Sequence, residues 1–288
     1  MIPSQFDYVA PATLNEAVAL LTQHPDDAKI LAGGHSLIPA MKLRLAMPQL
    51  LIDIGRIKDL AYIREEGSQI RIGAMTTHHQ LESSDRLREI CPLLPETASQ
   101  IGDVQVRNKG TIGGSLAHSD PAADWPAAII ALGGEMVAVG AIRERLIKAD
   151  DFFVDMLTTA LEPGEILREI RIPVSSGRFG QAYLKVPQPA SGFAVVGIAV
   201  SLALDAGGTC RSASVGVTGV ASKAYRATAV ESALVGSALD EQAIAAASSH
   251  ATDGMSINGD LYASDNYRKH LAQVYTRRAI EAAASRAK

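Results

Sequence analysis

A chain of 288 residues is long enough for roughly two or three domains with real cores. Its net charge of −4, with no basic cluster, argues against a nucleic-acid partner, and no apolar run approaches the roughly 18 residues that a membrane-spanning helix needs. The two cysteines, Cys91 and Cys210, lack a C-x-x-C spacing; they read as buried small hydrophobes in a reducing cytoplasm and exclude a four-cysteine iron–sulfur or zinc site built from this chain alone. The N-terminus, MIPSQFDYV, has neither a basic region nor a long apolar core, so no secretory leader is expected.

In chain order, residues 6–9 read as a short strand. Thr13 and Glu16 form a capping box, and Leu14, Ala17, Val18 and Leu21 fall on one face of a helix that ends near Pro25. Residues 28–31 form the next strand and run into AGGHS at 32–36; 37–45 return as a short helix, and 50–54 make a strand ending at Gly55. This is a small β-α-β unit whose glycine turn faces a ligand. From 59 to 75 the pattern alternates as strands, with a hairpin turn at Glu66, Gly67 and Ser68 between 62–64 and 69–72. A short helix begins at Thr76 or Thr77. His78 and His79 invite a metal reading, but adjacent histidines at a helix start lack nearby partners, and no metal role is expected. A helix over 93–101 then leads through 103–107 into a second glycine-rich stretch.

That stretch, 109–132 (KGTIGGSLAHSDPAADWPAAIIAL), organises the chain. Gly110, Gly113 and Gly114 let the backbone turn tightly and approach a ligand, and Thr111 and Ser115 flank them with hydroxyls. Asp120 before Pro121 reads as an N-cap followed by proline at the first helical position; Asp124 then falls one turn into the helix, and Trp125 in its core. A glycine loop with free backbone N–H groups holds phosphate oxygens. Residues 29–37 (KILAGGHSL) offer the same device, closed by Ser36. Two such loops suit a diphosphate better than a single phosphate, and so a dinucleotide. Neither G-x-G-x-x-G nor a Walker loop occurs, so a different fold must hold it.

Beyond this stretch, 135–139, 145–148 and 166–172 read as strands and 151–153 and 161–164 as turns. A change of composition over 173–180 marks the best boundary, giving one domain at 1–176, subdivided at about 55, and a second at 177–288. In the second, 181–185, 193–204 and 210–220 form an antiparallel sheet. Helices follow over 228–235, 240–251 and 265–284, the last with Leu271, Val274 and Ile280 on its apolar face. The fold class is α+β.

AGGHS at 32–36 and TIGGS at 111–115, followed by DPAADWP at 120–126, resemble the FAD-binding medium subunit of the molybdenum hydroxylases, the family of aerobic carbon monoxide dehydrogenase and xanthine dehydrogenase. The resemblance covers essentially the whole chain. It implies a two-part FAD-binding domain of the vanillyl-alcohol-oxidase/p-cresol-methylhydroxylase type and a C-terminal antiparallel sheet with helices. FAD would be held non-covalently by Lys29, Leu31, Ala32, Gly33, Gly34, His35, Ser36, Leu37, Ile101, Thr111, Gly113, Gly114, Ser115, Asp124, Leu161 and Lys185, with no catalytic or metal-binding residue on this chain. Asp124 would meet ribityl or adenosine hydroxyls, and Phe193 lies where an aromatic covers the flavin ring. Many members carry an arginine shortly after the position of Lys185; here the sequence is Pro187, Gln188, Pro189, Ala190, Ser191, which leaves the far side of the flavin and the electron acceptor open. The implied partners are a small [2Fe-2S] subunit and a large molybdopterin subunit, in a dimer of heterotrimers located in the cytoplasm or, through the complex, at the inner face of the membrane. The chain would pass electrons from iron–sulfur clusters to an external acceptor. A stand-alone flavin oxidase of the vanillyl-alcohol-oxidase type is the alternative, but it would need a large substrate-capping domain, and neither cysteine sits in a flavin-attachment motif. A non-catalytic nucleotide-binding scaffold is the third reading.

Overall fold

The first helix starts where its capping box sets it. The Thr13 hydroxyl accepts from the Glu16 N–H at 3.2 Å, and the Glu16 carboxylate returns to the N–H groups of Ala12 and Thr13. In the computed structural model, which describes residues 1–287, strand β1 (Asp7–Val9) precedes this helix, α1 (Leu14–Gln23). Strand β2 (Ala28–Leu31), helix α2 (Leu37–Lys42) and strand β3 (Leu50–Asp53) complete the unit, with the strands parallel in the order β1-β3-β2. Ala17 and Val18 share a buried cluster with Ala28, Ile52 and Ile54. α2 ends before residue 45 because Arg44 takes a φ of 59°, which a right-handed helix does not accept.

Strands β4 (Ile63–Glu66) and β5 (Gln69–Gly73) form the expected hairpin, with Gly67 at φ 62°. A run of helices follows: α3 (His78–Glu82), α4 (Asp85–Ile90), α5 (Leu93–Ser99), α6 (Val104–Lys109), α7 (Ile112–His118) and α8 (Asp124–Ala131). Side-chain caps at Thr77, Ser84, Asp103 and Thr111 explain where α3, α4, α6 and α7 begin. Two expectations are corrected. Residues 112–118 are helix, with Gly113 and Gly114 in its first turn, because the Thr111 hydroxyl caps the Gly114 N–H. Asp120 does not cap α8: its Oδ1 accepts from the Ala122 N–H at 2.8 Å in a local turn, and Ala123 is the residue before the helix. Asp124 therefore opens α8 and does not lie one turn inside it.

Strands β6 (Glu135–Val139) and β7 (Glu144–Lys148), helix α9 (Ala149–Phe152), and strands β8 (Phe153–Asp155), β9 (Thr158–Thr159) and β10 (Ile166–Pro173) follow. The turn expected over 151–153 is the end of α9 running into β8. A five-stranded antiparallel sheet has the order β4-β5-β10-β6-β7, and Ile70, Ile72, Trp125, Ile129, Phe152 and Ile170 are fully buried in the cluster beneath it.

A second antiparallel sheet runs in sequence order through β11 (Arg178–Pro187), β12 (Ala194–Leu204), β13 (Cys210–Thr218) and β14 (Tyr225–Arg226), followed by α10 (Thr228–Leu234), α11 (Glu241–Ser248) and α12 (Asp265–Arg286). Residues 194–200 of β12 are all buried, without alternation, because helices cover both faces. α8 covers one face and α12 the other. A Cβ at Gly216 would collide with the Ala127 carbonyl oxygen of α8, and one at Gly180 with the Ala283 carbonyl oxygen of α12. The buried stripe of α12 is Leu271, Ala272, Thr276, Ala279, Ile280 and Ala283; Val274, expected on it, is only partly buried. Among the described residues no helix is long and apolar enough to cross a membrane.

Gly216→Ala is expected to push α8 off β13 and to lower stability by about 1–3 kcal/mol, the usual range for overpacking. Urea unfolding of the variant beside the wild type measures this; an unchanged midpoint would mean that α8 shifts freely.

Candidate functional site

β2 delivers the chain into the turn at 32–36. Gly34 has a φ of 75°, a conformation that strains any residue with a Cβ. Gly33 is glycine for another reason: a Cβ there would run into the Lys109 carbonyl oxygen and lie 2.8 Å from Gly110 Cα. The N–H groups of Gly33, Gly34, His35 and Ser36 donate to no acceptor among the described residues, and the Ser36 hydroxyl caps nothing. Successive unpaired N–H groups in such a turn form an anion-binding concavity. His35 folds back, with Nδ1 2.9 Å from the Gly33 carbonyl oxygen. Leu31 and Leu37 flank the turn, half-buried, and Lys29 is exposed on β2.

The second glycine stretch differs from its expected form. Ile112 and Gly113 donate to the carbonyl oxygens of Thr76 (3.0 Å) and Ala74 (2.9 Å), Gly114 donates to Thr111 Oγ1 (3.1 Å), and Ser115 to the Thr111 carbonyl oxygen (3.0 Å). The amides of 112–115 are thus already paired, and the run of free donors is on the first turn. Gly113 is glycine because a Cβ would collide with Ala74; a Cβ at Gly114 would stand 3.4 Å from Ala32 Cβ. The two glycine motifs therefore meet, Gly33 on Gly110 and Ala32 beside Gly114. Ser115 is half-buried beside Gly114. A Cβ would fill the contact between the turns, and next to it the N–H groups of 33–36 and the Ser36 hydroxyl have no partner among the described residues. That is a fit for a diphosphate.

Asp124 and Lys185, both expected to reach the cofactor, pair with each other. Lys185 Nζ donates to Asp124 Oδ1 at 2.8 Å and to the carbonyl oxygens of Gln100 (2.6 Å) and Gly192 (2.7 Å), which engages all three of its protons. The Tyr183 hydroxyl donates to the same carboxylate at 2.5 Å. Burial pushes the Asp124 carboxyl upward, and the Lys185 ammonium pulls it back; burial and the Asp124 charge hold the Tyr183 phenol well above its ordinary range. Ile101 follows Gln100 in the chain and, like Leu161, packs half-buried against the core of the five-stranded sheet. The segment ahead of α8 is pinned by the second sheet: Ala194 N–H donates to the Ala122 carbonyl, Gly219 N–H to that of Pro121, and the Thr218 hydroxyl to those of Pro121 and Ala123.

His78 was singled out by the sequence for a metal and set aside. No group of three or more His, Cys, Asp or Glu side chains able to hold a metal occurs among the described residues. His78 is instead buried behind the glycine contact, hydrogen-bonded to Trp125 at 3.0 Å. Its place at the site follows from long-range packing, for which the sequence carries no local signal.

Residues 4–175 match the family model described as the FAD binding domain in molybdopterin dehydrogenase, and residues 181–283 that of the CO dehydrogenase flavoprotein C-terminal domain. The carbon monoxide dehydrogenase medium chain of Afipia carboxidovorans is 44% identical over 288 residues, covering 100% of both chains. Subunit alpha of the 6-hydroxypseudooxynicotine dehydrogenase complex of Paenarthrobacter nicotinovorans is 36% identical and covers 100% of this chain and 97% of its own. Among solved structures, carbon monoxide dehydrogenase from Hydrogenophaga pseudoflava superposes with a TM-score of 0.97 at 44% identity over 100% of each chain. Quinoline 2-oxidoreductase from Pseudomonas putida does so at 0.92, with 33% identity over 99% of each.

Lys185→Met would leave the Asp124 carboxylate buried without its cation, and a loss of about 3–5 kcal/mol is expected at pH 8. Protonation relieves an unpaired buried carboxylate, so the loss should shrink as the pH falls toward 4. Thermal unfolding at both pH values measures it; an equal loss at each would mean that the pair contributes through packing alone.

Proposed function

The chain belongs to the FAD-binding subunits of the molybdopterin dehydrogenases, a family of oxidoreductases with a vanillyl-alcohol-oxidase-type FAD domain and an antiparallel C-terminal sheet with helices, and on that premise we propose that it is the electron-transfer subunit of a multi-subunit molybdenum hydroxylase. The observation that carries this reading is the meeting of the two glycine motifs, with four unpaired N–H groups on one of them. Gly33, Gly34, His35 and Ser36 bind the FAD diphosphate through their N–H groups and the Ser36 hydroxyl. Ala32 and Gly114 form the adjoining wall, and Thr111, Gly113 and Ser115 hold that wall in place. Leu31 and Leu37 flank the cofactor. Lys29, exposed on β2, supplies a cation on the same side. Asp124 and Lys185 act as a pair, orienting the start of α8 and the loop that carries Phe193, next to Ile101; Leu161 contributes apolar lining.

The domain division follows the same logic, with an FAD-binding unit to about residue 176, itself divided near 55, and a flavoprotein C-terminal unit from 177. Bound FAD supplies a carrier that accepts electrons from a one-electron donor and passes them to an external acceptor. No side chain of this chain makes or breaks a substrate bond in this reading. The partners are a chain carrying [2Fe-2S] clusters and a chain carrying the molybdenum–pterin cofactor, where the organic or gaseous substrate is oxidised. Two buried, unpaired cysteines support assembly in the cytoplasm.

Two measurements test the reading. Gly34→Val should reduce FAD retention at least about tenfold, since a β-branched residue at this φ is strained by roughly 1–2 kcal/mol or more and would distort the turn that holds the N–H groups. Far-UV circular dichroism should stay near that of the wild type, and full flavin occupancy in the variant would overturn the diphosphate assignment. The second measurement is anaerobic. The flavin band of the isolated chain should bleach with dithionite but not with candidate substrates until the iron–sulfur and molybdenum chains are added. Substrate-driven bleaching of the isolated chain would favour a stand-alone oxidase.

A further inference from the structure

His78 lies outside the expected cofactor residues, yet it stands directly behind the point where the two glycine turns meet. It opens α3, is 4% exposed, and its N–H donates to the Gly110 carbonyl oxygen at 3.0 Å. Its Nδ1 accepts from the indole Nε1–H of Trp125 at 3.0 Å. An indole only donates, so this bond fixes the ring: Nδ1 is bare and the proton sits on Nε2. Nε2 lies against Gly110, 2.6 Å from where a Cβ would be on that residue. Gly110 Cα in turn lies 2.8 Å from the Cβ position of Gly33. A continuous column therefore runs from Trp125 in the core, through the imidazole and Gly110, to the turn with the unpaired N–H groups.

Resting on the FAD reading, we propose that His78 is a positioning residue of the cofactor site: held in one tautomer by Trp125, its imidazole sets the separation of the two glycine turns and so their grip on the diphosphate.

The charge state of the ring matters to this column. A second proton would go onto Nδ1, turning an acceptor into a donor that faces another donor. From the first turn His35 faces the ring, and from α6 Arg107; both disfavour an imidazolium. On α3 itself Glu82 is taken up by Arg107 at 2.8 Å, and His79 lies 3.8 Å from the same carboxylate. Trp125 brings no charge from α8. Burial above all, then His35 and Arg107, pulls the imidazole down to about 4. An unfolded histidine titrates near ~6.5 and takes up its proton first. Stability from this group is therefore complete above that value and declines as the pH falls toward 4.

The test follows FAD retention by the protein as purified, in complex with its partner chains where they copurify. The ratio of bound to free flavin is read after gel filtration between pH 4 and pH 8, with far-UV circular dichroism separating release from unfolding. Wild type should hold FAD at pH 8 and release it in an acid step. Trp125→Phe leaves Nδ1 free to protonate, and its step should move up by about one pH unit, the scale of a lost hydrogen bond. His78→Gln keeps an acceptor for the indole and an amide donor but does not titrate; it should hold FAD at pH 8 and release it at lower pH than wild type. His78→Phe keeps neither polar group, and its FAD affinity should fall about tenfold at every pH, the scale of one hydrogen bond. Should the Trp125 variant fail to fold, the two His78 variants carry the test. Wild-type affinity in His78→Phe at pH 8, or a His78→Gln release curve that superimposes on the wild type, would overturn the proposal while leaving the FAD reading intact. Wild type without FAD at pH 8 would overturn both.

Discussion

The contact that the rest of the site depends on is backbone against backbone: Gly33 lies on Lys109 and Gly110 with no room for a side-chain atom between them. Two units distant in sequence are brought together there. On one side stands the three-stranded parallel β-α-β unit, and on the other the stretch in which residues 74–78 pair with 110–113. The Thr77–Thr111 bridge and the bonds from Ile112 to Thr76 and from Gly113 to Ala74 hold that second side rigid. Because the amides of 112–115 are spent on this pairing and on the Thr111 cap, four successive unpaired donors remain on the 33–36 turn. An unpaired N–H that is fully buried costs roughly 1–3 kcal/mol, whereas a turn that is half-exposed keeps water until an anion replaces it.

The second sheet is a structural partner of the cofactor-binding half and not an appendage. α8 is flanked by the core of the five-stranded sheet and by β12 and β13, and the bonds from Ala194, Thr218 and Gly219 fix residues 121–123 ahead of it. Asp124, first in α8, then meets Tyr183 and Lys185 from β11. A buried ion pair of this kind is weak evidence for net stability, because desolvation offsets much of the attraction. Its geometry says more. Lys185 joins the C-terminal end of α5, the start of α8 and the 188–193 loop through one ammonium group, so those segments cannot move independently.

Local chemistry was legible in the sequence, and long-range geometry was not. The capping box at Thr13, the strands at 28–31 and 135–139, and the hairpin at Gly67 all rest on neighbours within a few residues, and the fold places them where the sequence does. The paired glycine motifs were legible as a pair, and they do meet. What failed was the reading of Gly113 and Gly114 as part of an open loop. Gly113 and Gly114 lie in α7 because the Thr111 cap and the pairing with 74–76 stabilise the turn regardless of their low propensity. Asp120 was misread because Asp before Pro serves a tight turn as well as a cap, and the choice between them is made by bonds from β12 and β13 far along the chain. Lys185 was legible as a candidate, but the identity of its partner depends on β11 facing α8.

The glycines of the two motifs also show that one residue type serves distinct physical demands. Gly34 answers a dihedral, while Gly33 and Gly113 answer collisions with the protein's own backbone and with Ala74. Gly114 answers its own helix cap: a Cβ there would stand 2.7 Å from the Thr111 hydroxyl that caps its N–H. Half of what looks like a phosphate-binding signature therefore holds the two units against each other, and the unpaired N–H groups lie beside the place where they join. A site assembled in this way links cofactor binding to docking of the units. Any ligand that bridges the turns binds the docked form alone, and it stabilises that form in proportion to the logarithm of its concentration over its dissociation constant. A cofactor held at that junction would in this sense be a structural element of the domain, and a change at the contact between the turns would then act on folding and on FAD retention together.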